Sequence, residues 1–420
     1  MIRKILVGFM LILCAKGYAQ EGSASPYSFF GIGELRFKGI VENQMMGGIS
    51  VFSDSTVLNL KNPASLGTLK FTNYSAAVSY SSIKLETDSS NEKAEAYTFD
   101  YLALGFPVGD KVGVSFGIVP FTAVGYRLSS LDESGEQAVL DRFSGEGGVN
   151  RVFVSAGYDI TKNISIGATA NYDFGKIENR IVRFTDGVQL GTRQINRSRL
   201  SGLDFNLALN YKTKITDKLT ARASLLYAPE AKLSSENERI FSTVTIIRGV
   251  EVPVETFNVD LNALGLNKTD LTIPEATTFG LGIGESKKWF VGAEYELKKT
   301  SNFENPFLSI TNVEYENATR FSAGGFYIPQ YNSFSSYWKR VVYRLGMRYE
   351  ETGIRINNLP VNDFGMSFGV GLPVGPSKLN LGVEVGQRGT TSAQRIKENY
   401  FNVNLSLSLL DKWFQKNKYQ

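Results

Sequence analysis

Apolar and polar positions alternate with a period of two along much of the chain. In Ile164 to Phe174, Ile164, Ile166, Ala168, Ala170, Tyr172 and Phe174 fall on one face and Ser165, Gly167, Thr169, Asn171 and Asp173 on the other. Leu203, Phe205, Leu207, Leu209 and Tyr211 are set in the same way against Asp204, Asn206, Ala208, Asn210 and Lys212. Near the end Phe401, Val403, Leu405, Leu407 and Leu409 oppose Asn402, Asn404, Ser406 and Ser408, and Leu219 to Tyr227, Trp289 to Leu297 and Leu379 to Val385 repeat the pattern. Side chains on a strand point to alternate faces, so these segments read as strands with one apolar and one polar face.

Such strands suit a soluble β-sandwich as well as a barrel. Two features favour an all-β, antiparallel transmembrane barrel. The apolar faces often end in aromatic residues, as at Tyr172, Phe174, Tyr211, Tyr227, Trp289 and Tyr295, which suits a girdle at the lipid headgroup boundary. The connections also alternate in length. Short turns fall at 108–110, 159–163, 215–218, 285–288 and 373–377, with a somewhat longer one at 329–336. Longer polar links fall at 87–93, 129–145, 185–190, 229–268, 300–312, 351–359 and 389–394. Short periplasmic turns and long external loops are the asymmetry of an outer-membrane barrel.

Between the links about fourteen strands are expected, near 71–86, 94–107, 111–128, 147–158, 164–184, 191–214, 219–228, 269–284, 289–299, 313–328, 337–350, 360–372, 378–388 and 395–414. An even number brings both ends of the barrel to the periplasmic side. Within Pro229 to Lys268, the stretch Val244 to Val254 predicts either an external hairpin or a further spanning pair that would make sixteen.

The first residues carry an address. Arg3 and Lys4 precede an apolar run from Ile5 to Cys14, and Gly17-Tyr18-Ala19 supplies small residues for cleavage, so residues 1–19 read as a secretory signal peptide. The run is too short for a membrane-spanning anchor, and the bulky Leu13 before Cys14 does not suit lipidation. Loss of Arg3, Lys4 and Lys16 brings the formal charge of +4 close to neutral and removes the single Cys. A near-neutral exported chain gives no electrostatic case for nucleic-acid binding.

Composition narrows the chemistry further. The chain has no His, which excludes Ser-His-Asp and Cys-His nucleophile pairs, imidazole bases and His-ligated metals. No metal, cofactor or enzymatic activity is expected. Gly280-Leu281-Gly282-Ile283-Gly284 lies in an alternating strand with no following helix, so it is not a nucleotide loop. Glu294 and Glu296 share a polar face, where solvated lumen residues are the simpler reading than acid–base chemistry.

Residues 20–70 do not alternate. They contain Gly31, Gly33, Gly67, a Met45-Met46-Gly47-Gly48 turn and an Asn62-Pro63-Ala64 step, together with Phe29, Phe30, Ile32, Leu35, Phe37, Ile49, Val51, Phe52, Val57, Leu58 and Leu60. That is too much apolar surface for a solvated tail, and a wide barrel leaves room for a plug. The expected organisation is a signal at 1–19, a hatch at 20–70, a barrel at 71–414 and a short periplasmic tail at 415–420.

Met46-Gly47-Gly48-Ile49-Ser50 through Asp54 to Asn59-Leu60-Lys61-Asn62-Pro63-Ala64 resembles the N-terminal hatch of FadL-type outer-membrane transporters of long-chain fatty acids and other hydrophobic compounds. Ile273-Pro274, Trp289 to Tyr295 and Arg320 to Pro329 are similar to that family's strand motifs, and the resemblance runs in order over residues 26 to 414. The chain departs from the pattern in its tail Gln415 to Gln420 and its long Pro229 to Lys268 link.

The resemblance implies a fourteen-stranded barrel with the hatch inside. It implies that a hydrophobic ligand is caught outside, passes to a pocket above the hatch and leaves into the outer-membrane lipid through a gap caused by a kink in the third strand. That strand contains Gly117, Pro120, Phe121 and Gly125. Proline lacks a ladder donor and glycines permit a bend, so these four residues are the candidate lateral portal, with a strand end at the membrane boundary as the alternative.

Gly47, Gly48, Asn62, Pro63 and Ala64 are the candidate hatch and gating residues, with the Asn62-Pro63-Ala64 step expected to face the gap. Arg151 or Arg222 is available to a ligand carboxylate, and equally to a polar lumen. The expected function is passive uptake of hydrophobic small molecules in the outer membrane of a Gram-negative-type envelope. The alternative is a FadL-like barrel acting as an interaction or shuttle component of a protein secretion system.

Overall fold

A computed structural model describes residues 22–308, 312–393 and 395–413. The expected signal cleavage and the tail 415–420 lie outside these residues. The strands are β1 Glu34–Leu35, β2 Thr72–Glu86, β3 Asn91–Val108, β4 Val112–Asp132, β5 Val139–Asp159, β6 Ile164–Thr185 and β7 Gly191–Lys214. They continue as β8 Leu219–Ala228, β9 Ala231–Ile247, β10 Val250–Asn258, β11 Lys268–Ile273, β12 Ala276–Glu285 and β13 Trp289–Lys298. The last are β14 Val313–Tyr315, β15 Ala318–Tyr327, β16 Val342–Ile356, β17 Leu359–Val374, β18 Ser377–Arg388 and β19 Lys397–Asp411.

Around the membrane the wall is a closed antiparallel barrel of fourteen strands, β2 to β8, β12, β13 and β15 to β19. The circle closes where β19 pairs with β2 from Asp411↔Thr72 to Lys397↔Glu86. Closure satisfies the edge amides that lipid cannot.

The alternation places large apolar side chains outside and polar ones inside. Leu203, Phe205, Leu207, Leu209 and Tyr211 are exposed, whereas Asp204 on the same strand is buried. Phe279, Tyr295, Phe321, Tyr349 and Phe364 stand opposite one another on five successive strands, all exposed. A second row holds Trp289, Tyr327 and Tyr343. Six residues separate Trp289 from Tyr295, or about 20 Å at about 3.3 Å per residue, which matches two girdles flanking an apolar band roughly 25 Å tall.

Several links expected to be loops are strand. β4 to β7 have 21, 21, 22 and 24 residues, about twice the ~9–11 needed to cross a bilayer. Most of 129–145 is therefore the outer part of a hairpin whose tip is 133–138, and 351–359 closes in a two-residue turn at Asn357-Asn358. Within 229–268, β9 continues the line of β8 beyond Pro229-Glu230 and pairs with the outer half of β7. β10 folds back on β9 through Arg248-Gly249 as an external hairpin, not a further spanning pair.

β11 and β12 form one line broken at Pro274, where the ring removes a donor. The expected 337–350 strand begins at Val342, because 338–340 form a 3-10 turn inside a longer link. Beyond the membrane no lipid demands an apolar face, so the period-two signal fades where the strands go on.

Candidate functional site

Residues 22–71 run through the lumen. Ile40, Val41, Met45, Leu58, Leu66 and Leu69 are buried with Ala77, Tyr101, Ala103, Val119 and Phe153 of the wall. A single helical turn, Val41–Gln44, leads into the Met45-Met46-Gly47-Gly48 turn. Gly47 and Gly48 both have positive φ, 71° and 86°. A Cβ on Gly47 would lie 2.5 Å from Met347 O and 2.8 Å from Ala323 O, and one on the wall residue Gly346 would lie 1.9 Å from Gly47 N. Backbone thus rests on backbone, which requires glycine on both sides. Gly48 meets only Lys38 O at 3.9 Å, so it serves conformation alone.

The seam between β3 and β4 starts at Val108↔Val112 and stops at Leu102↔Ile118. Beyond it β3 follows β2 up to Asn91, while β4 follows β5 up to Asp132. The departure coincides with Pro120. The β4–β5 register shifts between Pro120 and Thr122, leaving Phe121 as the extra residue of a bulge.

A piece of the hatch takes the place that β3 leaves. β1 pairs with β4 at Glu34↔Ala123 and Leu35↔Thr122. Arg36 N donates to Phe121 O at 2.9 Å, and Thr122 Oγ1 donates to Ile32 O at 2.7 Å. Gly125 N donates to Ser28 Oγ at 3.1 Å, and a Cβ there would stand 1.9 Å from Ser23 O. A Cβ on Gly117 would lie 2.3 Å from Leu102 O, at the end of the β3–β4 ladder.

Two environments meet at this strand. Phe29 and Ile32 of the hatch pack with Phe121, Val124, Tyr126, Val149, Ile177 and Leu271 in an apolar cluster. Beside it lies a cavity of about 220 Å³ walled by Phe30, Ile32, Leu35, Pro274, Phe303 and Ile354, with Arg320, Glu350, Asp363 and Arg388 on one side. Toward β2, β3 and β19 a smaller cavity of about 40 Å³ is lined by Glu34, Arg36, Lys38, Asp100, Glu398 and Tyr400.

An ionic clamp holds β1 to the wall. Arg388 Nη2 lies 3.2 Å from Glu34 Oε1 and 3.0 Å from Asp363 Oδ2, while its Nη1 is 3.5 Å from Glu398 Oε2. Ser25 Oγ donates to Glu398 Oε1 at 2.5 Å, and Tyr400 OH donates to Asp363 Oδ1 at 2.7 Å. Burial raises the Glu34 carboxyl, but the guanidinium of Arg388, with Arg36 and Lys38, outweighs it and holds the group down at about 2.

A family model described as BamG matches residues 1–420. The chain belongs to the BamG family. No curated protein matches the BamG-family chain by sequence. Its fold is similar to that of two solved toluene transporters and a FadL homologue. The Pseudomonas putida toluene transporter TodX is 15% identical with a TM-score of 0.58, covering 90% of this chain and 98% of that one. The Ralstonia pickettii toluene transporter TbuX is 15% identical with a TM-score of 0.56, covering 91% and 99%. A Pseudomonas aeruginosa FadL homologue is 12% identical with a TM-score of 0.55, covering 90% and 98%.

In this BamG-family barrel the expected site residues other than Gly47 and Gly48 fall into two groups. Gly117, Pro120, Phe121 and Gly125 line the course of β4 as it leaves β3. Asn62, Pro63 and Ala64 do not face that seam. Asn62 Nδ2 donates to Asn210 Oδ1 on β7 at 2.8 Å, and Ala64 packs with Ala208 and Leu226. Gly157 and Gly167 let the Pro63 carbonyl reach the wall, since a Cβ on either would come within 2.6 Å of Pro63 O. The step packs against β5 to β8.

Arg151 is bound to Asp173 at 2.8 Å and to Asp204, and its guanidinium stacks 3.7 Å from the Phe121 ring centroid. Arg222 lies at the opposite end, beside the short 215–218 turn, donating to Ser53 Oγ at 2.8 Å. Sequence reasoning missed Glu34, Arg388, Asp363 and Glu398. The available signal was an isolated Glu inside an otherwise apolar 29–35 segment, which demands a buried cation somewhere in the wall.

Proposed function

We propose that this chain is an outer-membrane channel, without bond-making chemistry, that takes up hydrophobic small molecules through the cavity above the hatch and releases them sideways between β3 and β4. The observation that carries the reading is the end of the β3–β4 ladder at Leu102↔Ile118, with β4 bulged at Phe121 and only the short hatch strand β1 along its free edge. The apolar cluster around Phe29, Ile32 and Phe121 supports it by leading from the 220 Å³ cavity to that edge.

Ligand size follows from volume. An apolar cavity of about 150 Å³ holds a benzene ring, so the space beside Phe30 and Ile32 fits a single-ring hydrocarbon as it stands. A long-chain fatty acid needs the 29–35 segment to shift, with Arg320 or Arg388 near its carboxylate. The toluene and monoaromatic hydrocarbon channels among the similar folds accord with the smaller class.

Purified protein in liposomes is expected to admit toluene at least tenfold faster than a size-matched polar solute, and oleate more slowly than toluene. Entry of neither toluene nor oleate above the rate of protein-free liposomes would overturn the reading.

A second reading, an interaction component of a secretion system, is favoured by one feature. The β9–β10 hairpin exposes Ile246, Ile247, Val250, Val254 and Phe257, beyond the Gly191 end of β7 and far from the lipid-facing band at Leu203 to Tyr211. Lipid cannot cover these residues, and large exposed apolar patches mark interaction sites. Removing 241–257 leaves uptake intact on the first reading and abolishes co-purification of a partner on the second.

A further inference from the structure

The periplasmic mouth of the barrel holds a cavity that the uptake pathway does not use. It measures about 500 Å³ and lies among the short turns and the start of β2, between the 52–57 segment of the hatch and the wall. Five cations line it: Arg222, Lys287, Arg340, Arg344 and Lys378. Only two carboxylates face them, Glu42 and Asp54.

Elsewhere in the lumen several cations are paired with carboxylates. Arg348 meets Glu384 at 2.9 Å, Arg388 meets Asp363 at 3.0 Å and Arg320 meets Glu296. At the mouth the partners are neutral. Arg222 donates to Ser53 Oγ at 2.8 Å, Arg344 to Asn380 Oδ1 at 3.1 Å and Lys378 to Thr56 Oγ1 at 2.9 Å. Lys287 and Arg340 lie against the rings of Tyr331 and Tyr337, at 4.8 and 5.4 Å from their centroids. Among the described residues none of the five forms an ion pair with a carboxylate, and the two carboxylates leave an excess of three positive charges.

The same cavity has an apolar side. Phe52 packs edge-on to Phe326 at 4.9 Å between centroids and tilts against Phe290 at 5.0 Å, and Val57, Phe71 and Ile328 continue that surface. The mouth opens at the level of the Trp289, Tyr327 and Tyr343 girdle, where lipid headgroups lie. Its volume falls within the ~300–1,000 Å³ usual for small-molecule sites. Unpaired cations over aromatic and aliphatic walls match a ligand with an anionic head and an apolar chain.

We propose that the periplasmic mouth is a binding site for a single anionic amphiphile, a carboxylate- or phosphate-headed lipid, with its head among Arg222, Arg340 and Lys378 and its chain along Phe52 and Phe326. The site stands apart from the uptake reading, since it requires no movement of molecules through the barrel.

The test uses the full chain in neutral phosphatidylcholine nanodiscs and a photoactivatable oleate. The probe is expected to label peptides containing 52–57 and 326–342. Dodecyl phosphate should displace it there, whereas dodecanol and millimolar inorganic phosphate should not. The triple variant Arg222→Gln, Arg340→Gln, Lys378→Gln should lose at least tenfold of that labelling.

Folding is checked by heat-modifiable gel migration. Should the triple variant fail that check, Lys287→Gln with Arg340→Gln, both on turns, is expected to lower labelling about fivefold. Unchanged labelling in the folded variant, or equal displacement by dodecanol, would overturn the proposal. Equal displacement by inorganic phosphate would do so too, by reducing the site to a general anion trap.

Discussion

Gly47→Val is expected to unseat the hatch and turn a plugged barrel into a conducting one. Gly47 sits at φ 71°, where a β-branched residue adds about 1–3 kcal/mol of backbone strain. Its Cβ would also lie 2.5 Å from Met347 O and 2.8 Å from Ala323 O, both backbone atoms of ladder-paired strands that cannot retreat. The wall is held by its own ladders and by lipid, so the barrel persists while the turn leaves its place. In planar bilayers the variant should show long-lived ion conductance that the parent lacks. Gly48→Val carries the strain without the collision, because only Lys38 O approaches, at 3.9 Å, and should remain largely plugged. Equal conductance from the two variants would show that the contact with Met347 does not hold the hatch.

Arg388→Met is expected to cause the next largest effect. It leaves Glu34, Asp363 and Glu398 buried without the guanidinium that all three face. Breaking a buried ion pair from one side costs about 3–5 kcal/mol, and here the loss falls on the contact between hatch and wall. The variant should release β1, read as faster hydrogen exchange at 32–36 while the ladders of β16 to β19 stay protected. Unchanged exchange at 32–36 would show that the ladder to β4 suffices without the clamp.

The clamp also has a pH signature. The Glu34 carboxyl is held down at about 2 in the folded chain, against about 4.3 for a free Glu. A depressed carboxyl contributes stability above its unfolded value and loses it as pH falls through the folded one. Exchange at 32–36 in the parent, divided by the intrinsic amide rate at each pH, should therefore rise between about pH 4.5 and pH 2, and in Glu34→Gln that rise should vanish. A rise of the same size in Glu34→Gln would assign it to other groups.

The barrel was legible because lipid imposes a pattern. Leu203 to Tyr211 and Phe401 to Leu409 must show apolar side chains outward and polar ones inward, and each strand repeats that demand locally. Where the demand stops, legibility stops. Residues 129–145 and 231–258 are largely strand, but water bathes their outer faces and nothing forces alternation. The local chemistry of Pro120 marked a strand that cannot donate at one position, and the register shift falls beside it.

Long-range matches were out of reach for a different reason. That Gly47 needs Gly346, or that Glu34 needs Arg388, depends on residues some 300 or more positions apart, and a charge at an inward position looks the same whether it fills the lumen or clamps the hatch. Asn62 illustrates the limit. Its turn chemistry was visible, but the identity of its partner, Asn210, is a property of the assembled barrel.

On the lateral route, hydrophobic molecules leave where β1 lies along the free edge of β4. Cys14 is the single cysteine and lies in the expected signal, so the pair Leu35→Cys and Thr122→Cys, directly opposite in the β1–β4 ladder, can be joined by a short bis-methanethiosulfonate cross-linker, each thiol displacing a sulfinate to form a disulfide. Toluene uptake into liposomes should fall at least tenfold on cross-linking through these cleavable disulfides and recover on reduction, with the single-cysteine variants unaffected. Undiminished uptake with β1 locked to β4 would contradict the lateral route.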